Sequence, residues 1–184
     1  MSTDMAERPA VSIRFSAAEI AARVDVMAAE LAAKLPADTL VVSVLKGSFV
    51  FAADLIRALS RAGANWSMDF ITLSSYGTGT KTSGNVRIVR DIVDDVRDRD
   101  VLLVDDILES GLTLSFAKNL IKERGARRVW VCTLLDKPHK RQAELEADFT
   151  GFEAGDEFLV GYGLDWAHRY RGLPYIGVVE RTTA

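Results

Sequence analysis

The sequence predicts an α/β fold with a mainly parallel, twisted sheet flanked by helices. Three observations carry this. Continuous apolar runs such as TLVVSVL (39–45), VLLV (101–104) and RRVWVCTLLD (127–136) have the length and valine content of strands buried on both faces. Segments with apolar residues at helical spacing fall between them, and strands alternating with helices are the signature of a parallel sheet. The 184 residues, 48% hydrophobic and 27% charged, suit one soluble domain, residues 1–184, around a single core.

The first ten residues, MSTDMAERPA, are polar and read as a loose tail without the apolar stretch of a secretory signal. Ser16-Ala-Ala-Glu19 forms a capping-box pattern. Ile20, Val24, Met27, Leu31 and Leu35 follow at helical spacing, so a helix of about five turns stops near Pro36. Strand 39–45 ends at Lys46-Gly47-Ser48, and FVFAADLIRALSRAG reads as a helix closed by Gly63. WSMDFITLSSY (66–76) alternates as a strand. GTGTKTSG (77–84) holds three glycines and three threonines in eight residues and has no apolar anchor, which predicts a flexible loop. NVRIVRDI (85–92) returns as a strand. Val101–Val104 is a short buried strand, Thr113–Arg124 a helix ended by Gly125, and 127–136 another strand. FLVGY (158–162) and YIGVV (175–179) are short strands, and residues 137–175 are expected to form a small lobe over the sheet. No internal repeat or low-complexity linker is present.

Composition excludes several roles. A net charge of −3 argues against a protein that coats nucleic acid, and no uncharged apolar stretch is long enough to span a bilayer. The single cysteine, Cys132, cannot form an internal disulfide; it sits in an apolar run and reads as a core residue of a cytoplasmic protein.

In parallel sheets ligands bind at the carboxyl ends of strands. The residues just after each apolar run are Lys46-Gly47, Ser75-Tyr76, Asp105-Asp106 with the loop 109–113, and Asp136-Lys137. Within VLLVDDILESGLTL, a glycine loop before a helix exposes backbone N–H groups, the helix end adds partial positive charge, and Ser110 and Thr113 add hydroxyl donors. That is a phosphate cradle. Asp105 and Asp106 only accept hydrogen bonds, and suit sugar hydroxyls or a hard cation such as Mg²⁺. Together they point to a sugar phosphate, with Glu109 beside the reacting end. The plainer reading of the acidic pair is a solvated loop with an aspartate cap.

VLLVDDILESGLTL closely resembles the phosphoribosyl-diphosphate (PRPP) motif of the type I phosphoribosyltransferases. VVSVLKGSFVFAADL, DFITLSSYGTG, CTLLDKP, DEFLVGYGLDW and RYRGLPYIGVV extend the resemblance along nearly the whole chain, to the family's bacterial hypoxanthine (hypoxanthine-guanine) branch. The resemblance implies the type I phosphoribosyltransferase fold, with a small C-terminal hood lobe, and transfer of a 6-oxopurine to PRPP. It implies that Glu109, Ser110, Gly111, Leu112 and Thr113 hold the 5-phosphate, and that Asp105 and Asp106 hold ribose hydroxyls and Mg²⁺. Lys46-Gly47, as a cis peptide in many relatives, and Arg171 would meet pyrophosphate. Lys137 would donate to the purine oxo group, Phe158 stack on the base, Leu159 offer backbone contacts, and Asp165 lie near a second Mg²⁺ and the base. Without the motif Phe158 reads as a core residue. Residues 75–84, starting at Ser75 and Tyr76, would be a mobile lid. Glu109, the expected proton acceptor at purine N7, stands where the family commonly has aspartate. A homo-oligomer, dimer or tetramer, is also implied. A regulator that senses PRPP or nucleotide and binds RNA is a second possibility on this fold, and the acidic net charge weighs against it.

Overall fold

The computed structural model describes residues 10–76 and 85–180. Nine strands and three α-helices run in the order β1 (Val11–Phe15), α1 (Ala17–Lys34), β2 (Leu40–Leu45), α2 (Phe49–Arg61), β3 (Ser67–Tyr76), β4 (Asn85–Arg90), β5 (Asp100–Leu108), α3 (Leu112–Glu123), β6 (Arg128–Asp136), β7 (Phe149–Glu153), β8 (Leu159–Val160) and β9 (Ile176–Val179) among the described residues. Six strands form the main sheet in the order β4-β3-β2-β5-β6-β7. All its pairings are parallel except β3 with β4. The α/β class and the helix positions stand as the periodicity predicts.

Period-two alternation sorts the central strands onto two cores. Val41, Leu102 and Val104 face α1 and α2; Leu40, Val42, Leu103 and Val101 face α3. Helix α1 starts on the predicted capping box: the Ser16 side chain accepts from Glu19 N–H, while Glu19 Oε2 accepts from Ser16 N–H at 2.8 Å. Arg23 on α1 donates from Nε to Gly151 O (2.9 Å) and from Nη2 to Thr150 O (2.7 Å), which satisfies carbonyls of the edge strand β7. Cys132 is fully buried, and burial pushes its thiol far above the ordinary range, so it is a core residue.

Three points differ from the sequence-based expectations. Strand β5 does not stop at Val104 but runs to Leu108, because β6 continues beside it and pairs Asp105 with Thr133 and Leu108 with Asp136. The acidic pair therefore lies inside a strand; β2 stops pairing with β5 at Ser43–Val104, so the acids lie beyond the last β2–β5 pair. The segment 137–175 divides: Phe149–Glu153 joins the main sheet as β7, and the remainder turns above it. The small second sheet, β1-β9-β8, is not wholly C-terminal, because its edge strand β1 comes from the other end of the chain. Phe15 at the end of β1 stacks on Phe152 of β7 with centroids 4.4 Å apart, which ties the small sheet to the large one.

Candidate active site

The carboxyl ends of β2, β5 and β6 open into two adjoining pockets. One, of about 260 Å³, is lined by Lys46, Gly47, Asp105, Asp106, Ser110 and Thr113 among others. The second, of about 560 Å³, is lined by Lys137, Phe158, Leu159 and Asp165, and shares Ile107 and Glu109 with the first. Apart from Leu112 and Arg171, which line neither, the residues expected on the phosphate side and the base side fall into two neighbouring chambers with Glu109 on the boundary.

The first pocket is built by close backbone packing. A Cβ on Gly47 would collide with the Asp106 carboxylate, and one on Gly163 would collide with the Gly47 carbonyl. The strand-to-helix turn at 46–48 is braced underneath by Ser48, whose hydroxyl donates to Val44 O at 2.5 Å and meets Ser43 Oγ at 2.6 Å. A cis peptide is present, at Leu45–Lys46, one bond earlier than the resemblance implies. Lys46 itself is exposed, so its backbone, and not its ammonium, forms the fixed part of this wall. The loop 109–113 turns through Gly111 at φ +78°, a left-handed conformation that disfavours any residue with a Cβ. Gly111 offers no side-chain cap to α3, so the first turn of the helix leaves N–H groups without intrahelical partners beside the pocket, as helix starts do. Leu112 contributes its N–H, which donates to Ser110 Oγ at 3.4 Å, and its side chain does not line the pocket. Ser110 O accepts from Gln142 N–H (2.9 Å) and Ala143 N–H (3.1 Å), which anchors the loop from outside.

Asp105 and Asp106 are buried, and among the described residues neither has a basic side chain within ion-pair distance. Each accepts from a backbone N–H, Asp105 Oδ1 from Asp106 at 3.0 Å and Asp106 Oδ1 from Ile107 at 2.9 Å. Burial, then the charge of its neighbour, pushes Asp105 well above the carboxylate range. Burial also raises Asp106, against the backbone hydrogen bond from Ile107 and the charge of Arg171. A divalent cation fits this pair, since it would relieve the burial of two negative groups. The described residues hold no cluster of three or more metal-ligating side chains. One or two carboxylates without a full cage match a Mg²⁺ that shares its shell with substrate oxygens. Asp165 is not brought to the pair in one such cluster. It accepts from Arg171 Nη2 (2.6 Å) and His168 N–H (2.7 Å), and Arg171 also donates to Gly163 O at 2.6 Å. Arg171 thus stands where the upper loop crosses Gly47. That loop carries left-handed backbone at Tyr162, Ala167, His168 and Tyr170, with φ between 50° and 71°.

The second pocket turns on Lys137, which is only 3% exposed. Its ammonium donates to Glu157 O at 2.8 Å and lies 3.7 Å from Glu109 Oε1. Burial lowers its pKa, against the attraction of Glu109. Burial raises Glu109, but a hydrogen bond from Lys140 and the charges of Lys137 and Lys140 outweigh this and hold its carboxyl below the usual range. Phe158 is 44% exposed and faces the pocket; the core reading does not hold for it. Leu159 is buried and pairs with Val178 in the small sheet, so its backbone is what the pocket meets. Ser75 and Tyr76 end β3 through their backbones, and the rest of the expected lid, 77–84, lies outside the described residues.

Two residues of the site escape the sequence reading. Arg141 pairs with Asp136 and donates from Nη1 to Glu109 O at 2.8 Å, bracing the loop 109–113. Lys140 donates to Glu109 Oε1 at 2.9 Å. The basic run KPHKR was the available signal, but nothing local says which of its charges turn inward.

The family model of the phosphoribosyl transferase domain matches residues 16–166. The hypoxanthine-guanine phosphoribosyltransferase of Bacillus subtilis (strain 168) is 46% identical over 170 residues, 91% of this chain and 92% of that protein. The hypoxanthine phosphoribosyltransferase of Escherichia coli (strain K12) is 42% identical over 172 residues, 92% and 95% of the two chains. A crystal structure of a hypoxanthine phosphoribosyltransferase from Staphylococcus aureus matches with a TM-score of 0.88 at 36% identity, covering 98% of this chain and 96% of that one.

Proposed function

Since the chain belongs to the phosphoribosyl transferase family, we propose that it is a purine-salvage enzyme that joins hypoxanthine, and with it guanine, to PRPP, giving the nucleoside monophosphate and pyrophosphate. One observation carries the choice of base. Lys137 Nζ and Glu109 Oε1 stand 3.7 Å apart in a pocket flanked by Phe158. A 6-oxopurine presents O6 and N7 side by side on one edge. A donor-only ammonium welcomes the oxo group and rejects the amino group of adenine, and the adjacent carboxylate accepts from N7–H.

In this reading N9 attacks C1 of the ribose, the C1–O bond breaks, and its electron pair leaves with pyrophosphate. Positive charge develops on the sugar ring, and the carboxylates of Asp105, Asp106 and Glu109 are placed to stabilise it. The N7 proton passes to Glu109, so the purine ends as a neutral base joined to C1 in the nucleotide. The loop 109–113 holds the 5-phosphate through N–H groups and hydroxyls, while Gly47 and Arg171 face the pyrophosphate. Asp105 and Asp106 would hold Mg²⁺, which when bound supplies charge neutralisation for the leaving group. The single buried cysteine supports a cytoplasmic setting.

The test is incubation with Mg-PRPP and hypoxanthine, guanine or adenine. Inosine and guanosine monophosphate are expected and adenosine monophosphate is not. Failure to form inosine monophosphate would overturn the reading.

A further inference from the structure

The proposed proton acceptor carries a partner that the transfer reaction does not itself require. Lys140 Nζ donates to Glu109 Oε1 at 2.9 Å, closer than Lys137 at 3.7 Å. Lys140 ends the single 3-10 turn Pro138–Lys140, three residues after Lys137, and its ammonium is also 3.8 Å from Asp156 Oδ1. Asp156 in turn meets His139 Nε2 at 2.9 Å. Resting on the transferase reading above, we propose that Lys140 is a positioning residue: it holds the Glu109 carboxylate beside Lys137, so that the donor–acceptor pair for the purine edge is aligned before the base arrives.

The length of Glu109 gives this its physical sense. A glutamate has one more rotor than an aspartate, and its side chain here is 45% exposed. Held by Lys137 alone at 3.7 Å, it would sample rotamers that carry the carboxylate away from the pocket, and fixing it on purine binding would cost entropy. A second anchor removes that freedom in advance. The anchor pairs with the longer acid: an aspartate at 109 would end one methylene short of the position from which Oε1 now meets both ammonium groups.

The charges around Glu109 come from several elements. Lys137 and Lys140 approach from the turn after β6, and the Arg141 guanidinium donates to the Glu109 carbonyl while pairing with Asp136. Asp156 lies beyond Lys140, Glu157 O holds Lys137, and Asp165 lines the same pocket. Asp105 and Asp106 precede Glu109 on β5. Among the described residues only the two lysines reach its carboxylate within ion-pair distance. The two positive charges keep the carboxylate ionised, against its partial burial. Positioning and ionisation are thus supplied by the same ammonium group.

The experiment compares the wild type with Lys140→Met and Lys140→Arg. The Glu109 carboxyl is titrated by ¹³C NMR with side-chain-labelled glutamate, its signal assigned by its loss in Glu109→Gln. Lys140→Met should move the Glu109 midpoint to higher pH by about half to one unit, the size of one close charge near the surface. Lys140→Arg should restore it. In turnover, the acid limb of kcat/KM for hypoxanthine should shift in the same direction, while KM for PRPP stays within about twofold. An unmoved Glu109 midpoint in Lys140→Met, or a loss confined to PRPP, would overturn the proposal. A wild type that turns over no purine would overturn the transferase reading alone, and the NMR titration would still decide whether Lys140 holds Glu109.

Discussion

At the scale of single residues, charge and burial oppose each other in two places. Glu109 is held ionised by Lys140 and Lys137 although it is partly buried. Glu109→Gln keeps the shape and the backbone cradle but removes the proton acceptor. It should lower kcat by about 10²–10⁴-fold and change the affinity for PRPP far less, which single-turnover rates and a binding titration can separate. Equal losses in both would refute the role. Asp105 shows the opposite balance, since its carboxyl is raised by burial and by Asp106. The folded protein then binds a proton more tightly there than the unfolded chain does. Stability of the free protein should therefore fall as pH rises above the ordinary carboxylate range, until Asp105 ionises in the folded state too. Asp105→Asn should flatten that slope and raise stability at neutral pH by about 1–3 kcal/mol, each kcal/mol worth about 2–4 °C in Tm. Thermal melts from acid to neutral pH would check both, and a variant less stable than wild type at neutral pH would sink the argument.

At the scale of elements, the site depends on where strands stop and how closely the turns after them pack. The β2–α2 turn is tight enough that Gly47 touches the Asp106 carboxylate on one side and Gly163 of the upper loop on the other. Gly47→Ala should force the Asp106 carboxylate away, at a cost of about 1–3 kcal/mol, and raise KM for PRPP more than KM for hypoxanthine. Unchanged KM for PRPP would show that this turn does not face the pyrophosphate. The extension of β5 past Val104 belongs to the same scale. VLLV reads as a strand by itself, but Asp105–Leu108 joins it only because β6 lies alongside with free backbone groups.

At the scale of the whole molecule, the two sheets share one core. Phe15 of β1, Leu159 of β8 and Ile176 of β9 belong to the same buried cluster as α1, α2 and the inner faces of β2, β5 and β6. The upper sheet should therefore not melt separately. Phe15→Ala removes a buried ring stacked on Phe152 and should cost about 3–5 kcal/mol, seen as a shift of one cooperative denaturation transition followed by tryptophan fluorescence and circular dichroism alike. Two separated transitions would show that the small sheet is an independent unit.

Much of this molecule was legible in its sequence, for a reason each scale makes plain. Buried strands and amphipathic helices write their period directly into the order of residues, so Leu40–Leu45, Ala17–Lys34 and Leu112–Glu123 could be read locally. The glycine loop before α3 was equally legible as a loop, because glycine, hydroxyl and helix start lie within five residues of one another. β1 and β7 were not: VSIRF and FTGFE are too short to show a period, and each is a strand only because β9 or β6 offers it an edge. Without the motif Phe158 reads as core, and it is half exposed, because apolar character alone does not say which side faces a pocket. The sequence by itself determined the fold class, the acid–glycine loop and the lysine after β6, since those rest on short-range covalent spacing. Only the tertiary structure decided that Glu109 sits between Lys137 and Lys140, and that Gly47, Asp106 and Gly163 meet. Those contacts join elements distant in the chain, and electrostatics and close packing depend on separation in space.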